Sequence, residues 1–377
     1  MLWHNPVLRR LISESAVSTK RIAVVGAGVN GVSIATACAS LGHQVQLFDE
    51  STPFDQTSSA SSRMLHGGIR YIEQGHIGLV REALIERDGW LRFAPNATRV
   101  ERFYFPVYQE SKRGRWLLFA GTLIYQWLAG RFSVGPSQLH SSEDLKHVFP
   151  SLIPQGLCGG ASYCDVVMEY EPLIQRLVDE ARKQGVRIVE NTRIERLYSE
   201  GRIDTADQTL EFDRVINAAG PWAAKLLEAS DVDSGFTIDH VRGSHLIVQA
   251  SFRHALVLQA PGERRIIFVI PLDPEHVLLG TTEQKHDISD PIVCTDAESA
   301  YLLEILNQHL SEPLVASDIV SSFAGVRPIV RPRDTSPGDI SSASRDSEIE
   351  ISDRLISVFG GKWTSARHLG GKVAALV

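Results

Sequence analysis

The stretch Gly26-Ala27-Gly28-Val29-Asn30-Gly31 constrains this chain more than any other part of it. Before it runs Arg21-Ile-Ala-Val-Val25, a short β-branched run of the kind that forms a buried parallel strand. After it, apolar periodicity through Ile34, Ala35, Ala37 and Cys38 predicts a helix ending near Leu41-Gly42. A second strand, Gln44 to Phe48, ends on Asp49-Glu50. Gly26 permits the tight turn, Gly28 lets a pyrophosphate approach the backbone, and Gly31 allows helix and strand to pack closely. The helix N-terminus offers N–H groups and the positive end of a dipole to phosphate. Asp49, eighteen residues after Gly31, stands where an acid reaches adenosine ribose hydroxyls. Strand, glycines, helix, strand and acid in this order predict a bound dinucleotide.

An NAD enzyme would usually continue in regular βαβ units. This chain continues instead with Thr57-Ser58-Ser59-Ala60-Ser61-Ser62-Arg63-Met64-Leu65-His66-Gly67-Gly68-Ile69-Arg70-Tyr71. Small hydroxyl side chains let backbone lie close along a cofactor while supplying hydrogen bonds; composition alone reads the same stretch as a flexible linker. The segment closely resembles the flavin-contacting segment of FAD-dependent glycerol-3-phosphate dehydrogenases. Further motifs follow in the family's order: Asn217-Ala-Ala-Gly-Pro-Trp222, Arg242-Gly-Ser-His245, Ile267-Phe-Val-Ile-Pro271, Gly280-Thr-Thr-Glu283, Gly325-Val-Arg-Pro328, Ser344-Arg-Asp346 and Phe359-Gly-Gly-Lys362. The resemblance spans about residues 20 to 370. It implies FAD as cofactor and a D-amino-acid-oxidase-like architecture. It places at the cofactor Gly26, Gly28, Asn30, Gly31, Asp49, Thr57, Ser58, Ser59, Ser62, His66, Gly67, Gly68, Arg193, Ile194, Ala218, Gly220, Trp222, Gly360, Gly361, Lys362, Trp363 and Thr364.

Three departures accompany the resemblance. Glu169-Tyr-Glu-Pro172 stands where the family has an Asp-Asp-Ala-Arg run, and Glu283 replaces the acid of GTTD. The chain also ends fifteen residues after Lys362, where the family continues into a helical C-terminal domain. It therefore reads as a truncated homologue or a shorter relative with an altered substrate.

Oxidising a secondary alcohol with a flavin needs a hydride path, a proton acceptor and a grip on the rest of the substrate; the isoalloxazine carries the redox chemistry. For the grip, a phosphate dianion calls for arginines, whose planar fork binds oxygens bidentately. Arg70, Arg327 and Arg345 lie in three separate motifs, with Tyr71 as a neutral donor. A carboxylate would suit the same arginines. His245 is the candidate base, and Arg327 and Lys362 complete the expected catalytic set. A predicted helix over 363–376 would aim its dipole at the charge that reduction places near flavin N1 and O2.

Net charge is −7 and the acids are spread along the chain, which excludes a nucleic-acid binder with a basic stripe. Cys38, Cys158, Cys164 and Cys294 form no CxxC pair and no metal-ligand spacing, so they are expected to be buried free thiols, with no metal site. Trp116 to Gly130 is the longest apolar run. As a helix of about 22 Å it is too short to cross a bilayer of about 30 Å. Lys112, Arg113, Arg115 and Arg131 flank it, so it reads equally as an interfacial membrane helix or as a core helix capped by surface arginines.

These readings predict an α/β protein with a discontinuous Rossmann-like FAD-binding domain (20–95, 151–234, 320–377). A substrate domain of antiparallel sheet plus helices (96–150, 235–319) is expected to roof the flavin, and residues 1–19 form an N-terminal leader. The expected reaction is oxidation of sn-glycerol 3-phosphate to dihydroxyacetone phosphate, with electrons passing to a quinone or another acceptor. The expected location is the cytoplasm, with peripheral contact at the inner face of the cytoplasmic membrane through 116–130. A related FAD oxidase of an amino acid or 2-hydroxy acid, and a catalytically idle flavin-binding sensor or partner subunit, remain alternatives. Oligomeric state is open.

Overall fold

The computed structural model describes residues 18–260, 265–335 and 347–377. The expected leader falls almost wholly outside these residues, as does most of the Ser-rich stretch around 336–347, Arg345 included. The chain divides into two compact units. One comprises residues up to Ser58 with Ile174–Asp239 and Pro328–Val377; the other comprises Ser59–Leu173 and His240–Arg327.

The first unit is built on a six-stranded sheet. Its centre is the predicted strand Arg21–Val25, flanked in parallel by Gln44–Phe48 and Arg214–Asn217. Arg187–Val189 extends the sheet on one side and Leu355–Phe359 on the other, both parallel. Glu348–Ser352 closes the edge antiparallel. The central strand is buried on both faces from Ile22 to Val25, which is why it reads as an unbroken apolar run. One face carries Ala23, Val25, Phe48, Val215 and Phe359 in a shared core with Leu197, Ile203 and Leu227. On the other, helix Val29–Ser40 packs so closely on helix Ala366–Ala374 that a Cβ on Gly370 would lie 2.6 Å from the Ser33 carbonyl. The second helix starts three residues later than its pattern predicts, because Trp363–Ser365 form a turn first.

The second unit holds a larger, mostly antiparallel sheet. Thr98–Tyr108 runs its full length against Leu157–Met168, joins Ala255–Gln259 in parallel, and the sheet continues through Ile266–Pro271, His276–Gly280 and Phe236–Gln249. One face packs on helices Ser142–Val148 and Asp296–Asn307 through Leu145, Leu302 and Leu306. The other packs on Ile77–Phe93 and Arg115–Ala129 through Val80, Leu84, Tyr125 and Leu128. The division between units therefore does not fall at 95, 150, 234 and 319. Residues 59–95 and 151–173 belong to the second unit, because Met64–Leu65 and Leu157–Met168 are strands of its sheet and helix Ile77–Phe93 fills its core.

All four cysteines are free, but not all are buried. Cys158 is exposed, since strand alternation points it outward near the start of Leu157–Met168.

Candidate functional site

A cleft of ≈ 690 Å³ opens in the first unit, lined at the ends of strands Arg21–Val25 and Gln44–Phe48. The fingerprint glycines shape it through backbone contacts. Gly26, at φ +97°, takes a conformation that side chains resist, and a Cβ there would lie 2.5 Å from the Ala218 carbonyl oxygen. A Cβ on Gly31 would lie 1.7 Å from the carbonyl oxygen of Gly26, so only glycine lets the helix start this close to the turn. Asp49 is held at the strand end: Oδ2 accepts from the Ala27 amide at 2.6 Å and Oδ1 from the Ser51 amide at 2.9 Å. Oδ1 also accepts from the Ser51 hydroxyl at 3.2 Å, which leaves Oδ2 with a lone pair for a further donor.

The opposite wall comes from the segment after Leu355–Phe359. Asn30 donates from Nδ2 to the Gly360 carbonyl at 3.0 Å, and its Oδ1 is buried without a partner. Trp363 donates from Nε1 to the Ser58 carbonyl at 3.1 Å and stacks on Phe54 with centroids 5.8 Å apart. The Ser58 hydroxyl accepts from the Val29 amide at 3.0 Å. Helix Val29–Ser40 has no acid in its first turn, so nothing there opposes an anion. A deep cleft at parallel strand ends, with an uncompensated helix N-terminus, an orphaned amide oxygen and a placed carboxylate, fits a dinucleotide.

Of the residues expected at a cofactor, Gly26, Gly28, Asn30, Asp49, Thr57, Ser58, Arg193, Ile194, Ala218, Gly220, Trp222, Gly360, Gly361, Lys362 and Trp363 line this cleft. Gly31 acts through its contact with the Gly26 carbonyl, and Thr364 is buried and is not among the lining residues. Ser59, Ser62, His66, Gly67 and Gly68 belong to the second unit and line no part of it. Phe54 and Lys225 line it although no motif marked them, and Pro328, the last residue of the Gly325–Pro328 motif, lines it without having been assigned to the cofactor; Lys225, three residues beyond Trp222 in helix Ala223–Ala229, was legible from that spacing.

The second unit carries a buried polar cluster around His245. The ring is 2% exposed, lies against Gly280 and stacks on Phe323 with centroids 5.0 Å apart. Nε2 shares a hydrogen bond with the Ser62 hydroxyl at 2.9 Å, while Nδ1 is buried without a partner. Burial, then the positive charges of Arg327 and Arg63, push the imidazole pKa down to about 3. The ring is therefore neutral at physiological pH. Arg327 donates to Glu283 Oε1 at 3.3 Å and to Thr281 Oγ1 at 3.0 Å. Glu283, a departure from the family pattern, is thus the ion-pair partner of the expected anion-binding arginine.

The stretch of strand Phe236–Gln249 before His245 is fixed from behind. The Ser244 amide donates to Thr282 Oγ1 at 2.8 Å, and that hydroxyl donates to buried Glu298 at 2.7 Å. Arg242 also pairs with Glu298, at 2.8 Å. Burial alone would raise the Glu298 pKa, but hydrogen bonds from Thr282 and Thr295 hold it below the usual carboxylate range. Thr295-x-x-Glu298 is a capping box on helix Asp296–Asn307, a spacing that sequence reasoning passed over.

Arg70 and Tyr71 sit on the short helix Arg70–Glu73 of the second unit. The structure thus brings His245, Ser62, Arg63 and Arg327 together, leaves Lys362 with the cleft of the first unit, and leaves Arg345 outside the described residues.

Helix Arg115–Ala129 resolves both readings of its sequence. Tyr125 and Leu128 face the core, whereas Trp116 and Trp127 are 64% and 77% exposed. Among the described residues, no helix is long and apolar enough to cross a membrane.

A model of the family described as FAD dependent oxidoreductase matches residues 21–376. The chain is 34% identical over 366 residues to a glycerol-3-phosphate dehydrogenase of Pseudomonas aeruginosa, covering 92% of this chain and 69% of that protein. It is 30% identical to a D-erythritol 1-phosphate dehydrogenase of Brucella abortus, covering 92% and 71%. Among solved structures, a glycerol-3-phosphate dehydrogenase from Bacillus halodurans complexed with FAD superposes with a TM-score of 0.74 at 23% identity, over 98% of this chain and 66% of that one. The chain thus spans about two thirds of the length of these relatives.

Proposed function

The chain belongs to the FAD-dependent oxidoreductase family, and we propose that it oxidises sn-glycerol 3-phosphate to dihydroxyacetone phosphate. The observation that carries this reading is the His245 cluster: a neutral, buried imidazole with an unpartnered ring nitrogen, beside a guanidinium. That pairing supplies a proton acceptor next to an anion grip. When bound, FAD supplies the acceptor of the hydride from substrate C2 and returns the electrons to a quinone or another acceptor.

In this reading the first-turn amides of helix Val29–Ser40 hold the pyrophosphate and Asp49 takes the ribose hydroxyls. Gly360, Gly361 and Lys362 line the cleft and would stabilise the negative charge that a bound flavin gains on reduction. Arg327, with Arg70 and Tyr71, grips the phosphate, and His245 takes the proton of the C2 hydroxyl. A free imidazole with so low a pKa is a weak base. A dianion beside Arg327 removes part of the positive field that depresses it, so substrate binding itself raises the basicity of His245.

The exposed aromatic face of helix Arg115–Ala129, with Arg113, Arg115 and Arg131 at its ends, is proposed to lie on an anionic lipid surface, where a quinone acceptor dissolves.

Anaerobic addition of sn-glycerol 3-phosphate to the FAD-loaded protein, followed by flavin absorbance, tests the reading. Rapid bleaching is the expected result. Bleaching by glycine, sarcosine or 2-hydroxyglutarate instead would assign a carboxylate substrate, and no bleaching by any of them would leave a flavin-binding protein without this chemistry.

A further inference from the structure

Gly67 to Glu73 carries two of the residues assigned above to the phosphate, Arg70 and Tyr71, yet only four of its residues form regular structure, the single helical turn Arg70–Glu73. A segment this short has little stability of its own, so its position depends on what holds it. The amide of Gly67 donates to the Tyr125 hydroxyl at 2.7 Å. That hydroxyl donates in turn to Asp165 Oδ2 at 2.6 Å, and Asp165 Oδ1 accepts from Arg87 Nη1 at 3.0 Å. Arg87 is anchored by a second bond, from Nη2 to the Phe132 carbonyl at 2.7 Å. Tyr125, Asp165 and Arg87 are each at most 2% exposed. Burial, reinforced by the Asp165 charge, raises the phenol pKa well above its ordinary value, so Tyr125 keeps its proton and always presents a lone pair to Gly67.

The other end of the segment is held separately. Arg113 forms a bidentate pair with Glu73, at 2.5 and 2.9 Å. The backbone of Arg113 is pinned to the sheet by Gln259, whose side chain accepts from its amide at 3.1 Å and donates to its carbonyl at 3.2 Å. One clamp, Tyr125, lies in helix Arg115–Ala129, and the other, Arg113, stands two residues before it.

We propose that Tyr125 is a positioning residue for substrate binding: backed by Asp165 and Arg87, it sets the place of Arg70 and Tyr71 by holding Gly67, with Arg113 as the second clamp. The assignment rests on the phosphate role of Arg70 given above. Nothing in the relay touches a reacting atom, so its loss is read in the grip on substrate and not in the chemical step.

The test uses FAD-loaded protein and two measurements. Tyr125→Phe keeps the ring and removes the hydroxyl. Amide hydrogen exchange at residues 67–73 is expected to quicken about tenfold, with strand Thr98–Tyr108 unchanged. KM for sn-glycerol 3-phosphate is expected to rise about tenfold with kcat within about threefold. Glu73→Gln, at the half-exposed end, is the second variant and is expected to quicken exchange at the same segment without touching the buried relay. Unchanged exchange at 67–73 in both variants, or quickening spread equally over the sheet, would overturn the proposal. So would a loss of kcat at unchanged KM. A wild-type protein that ignores sn-glycerol 3-phosphate defeats the functional reading alone, because the exchange measurement needs no substrate.

Discussion

Replacing Gly31 by alanine puts a methyl group where the structure has backbone. The new Cβ would lie 1.7 Å from the Gly26 carbonyl oxygen and 2.9 Å from its carbon. Ordinary contact is roughly 3.5 Å, so helix and turn must part by roughly 2 Å. The obstacle is a main-chain carbonyl, which cannot swing away as a flexible side chain would. Overpacking of this kind costs about 1–3 kcal/mol, and its upper end applies here. The parting also moves the first-turn amides of helix Val29–Ser40 away from the phosphate, and each charge-assisted hydrogen bond lost costs about 1.5–3 kcal/mol. If the turn relaxes, FAD affinity falls by about 3–4 kcal/mol, or two to three decades in Kd. If the turn holds, folding bears the strain instead. Gly31→Ala should therefore be followed by FAD fluorescence quenching and by apo-protein melting together. Gly42→Ala is the control: its φ is also positive, at +92°, but nothing lies within 4 Å of the added Cβ. That variant should lose about 1–2 kcal/mol of stability and keep its Kd. A Gly31→Ala protein with wild-type Kd and wild-type melting would refute the packing argument.

Three further outcomes are expected. Below pH about 6.5 the unfolded chain takes a proton that folded His245 refuses until about pH 3, so this group lowers stability as pH falls through that window. Denaturant titrations at pH 7 and 4.5 should show His245→Gln losing about 2–3 kcal/mol less than wild type, and equal losses would deny the buried neutral ring. Arg327→Lys cannot reproduce the fork that reaches both Thr281 and Glu283, and kcat/KM for sn-glycerol 3-phosphate should fall by roughly one to two decades; retention of full kcat/KM would remove Arg327 from the grip. Trp116→Glu with Trp127→Glu should abolish sedimentation with anionic vesicles while flavin content stays constant, whereas unchanged sedimentation would place the lipid contact elsewhere.

What was legible in the sequence was local. Arg21 to Asp49 reads directly because strand, turn, helix and strand each carry their own signal within a few residues, and the structure repeats them almost residue for residue. The strands Ile266–Pro271 and His276–Gly280 were visible for the same reason. Pairings across long stretches of chain were not. Nothing in Ser62 announces His245, 183 residues away, as its hydrogen-bond partner. Nor does Leu157–Met168 say that it will run beside Thr98–Tyr108, and that pairing moved the boundary between units. The late start of helix Ala366–Ala374 has a backbone cause: Gly360 and Gly361 both take positive φ, and the chain needs Trp363–Ser365 to turn before a helix can begin. Helix Arg115–Ala129 divided two readings evenly because its apolar residues encircle it; only packing separates Tyr125 from Trp127.

The strand order of the first unit also sets a timetable for synthesis. Strand Arg214–Asn217 has Arg21–Val25 on one side and Leu355–Phe359 on the other. While the ribosome makes the intervening chain, at ~5–20 residues per second, one apolar edge of Arg214–Asn217 stays open for on the order of ten seconds. Gly360 to Trp363, the wall that faces Asn30 and Ser58, emerges only after that edge is covered. The cofactor therefore meets a three-sided trough before it meets a cleft, and retention of FAD by a nascent chain should begin only once residues 355–363 have left the exit tunnel.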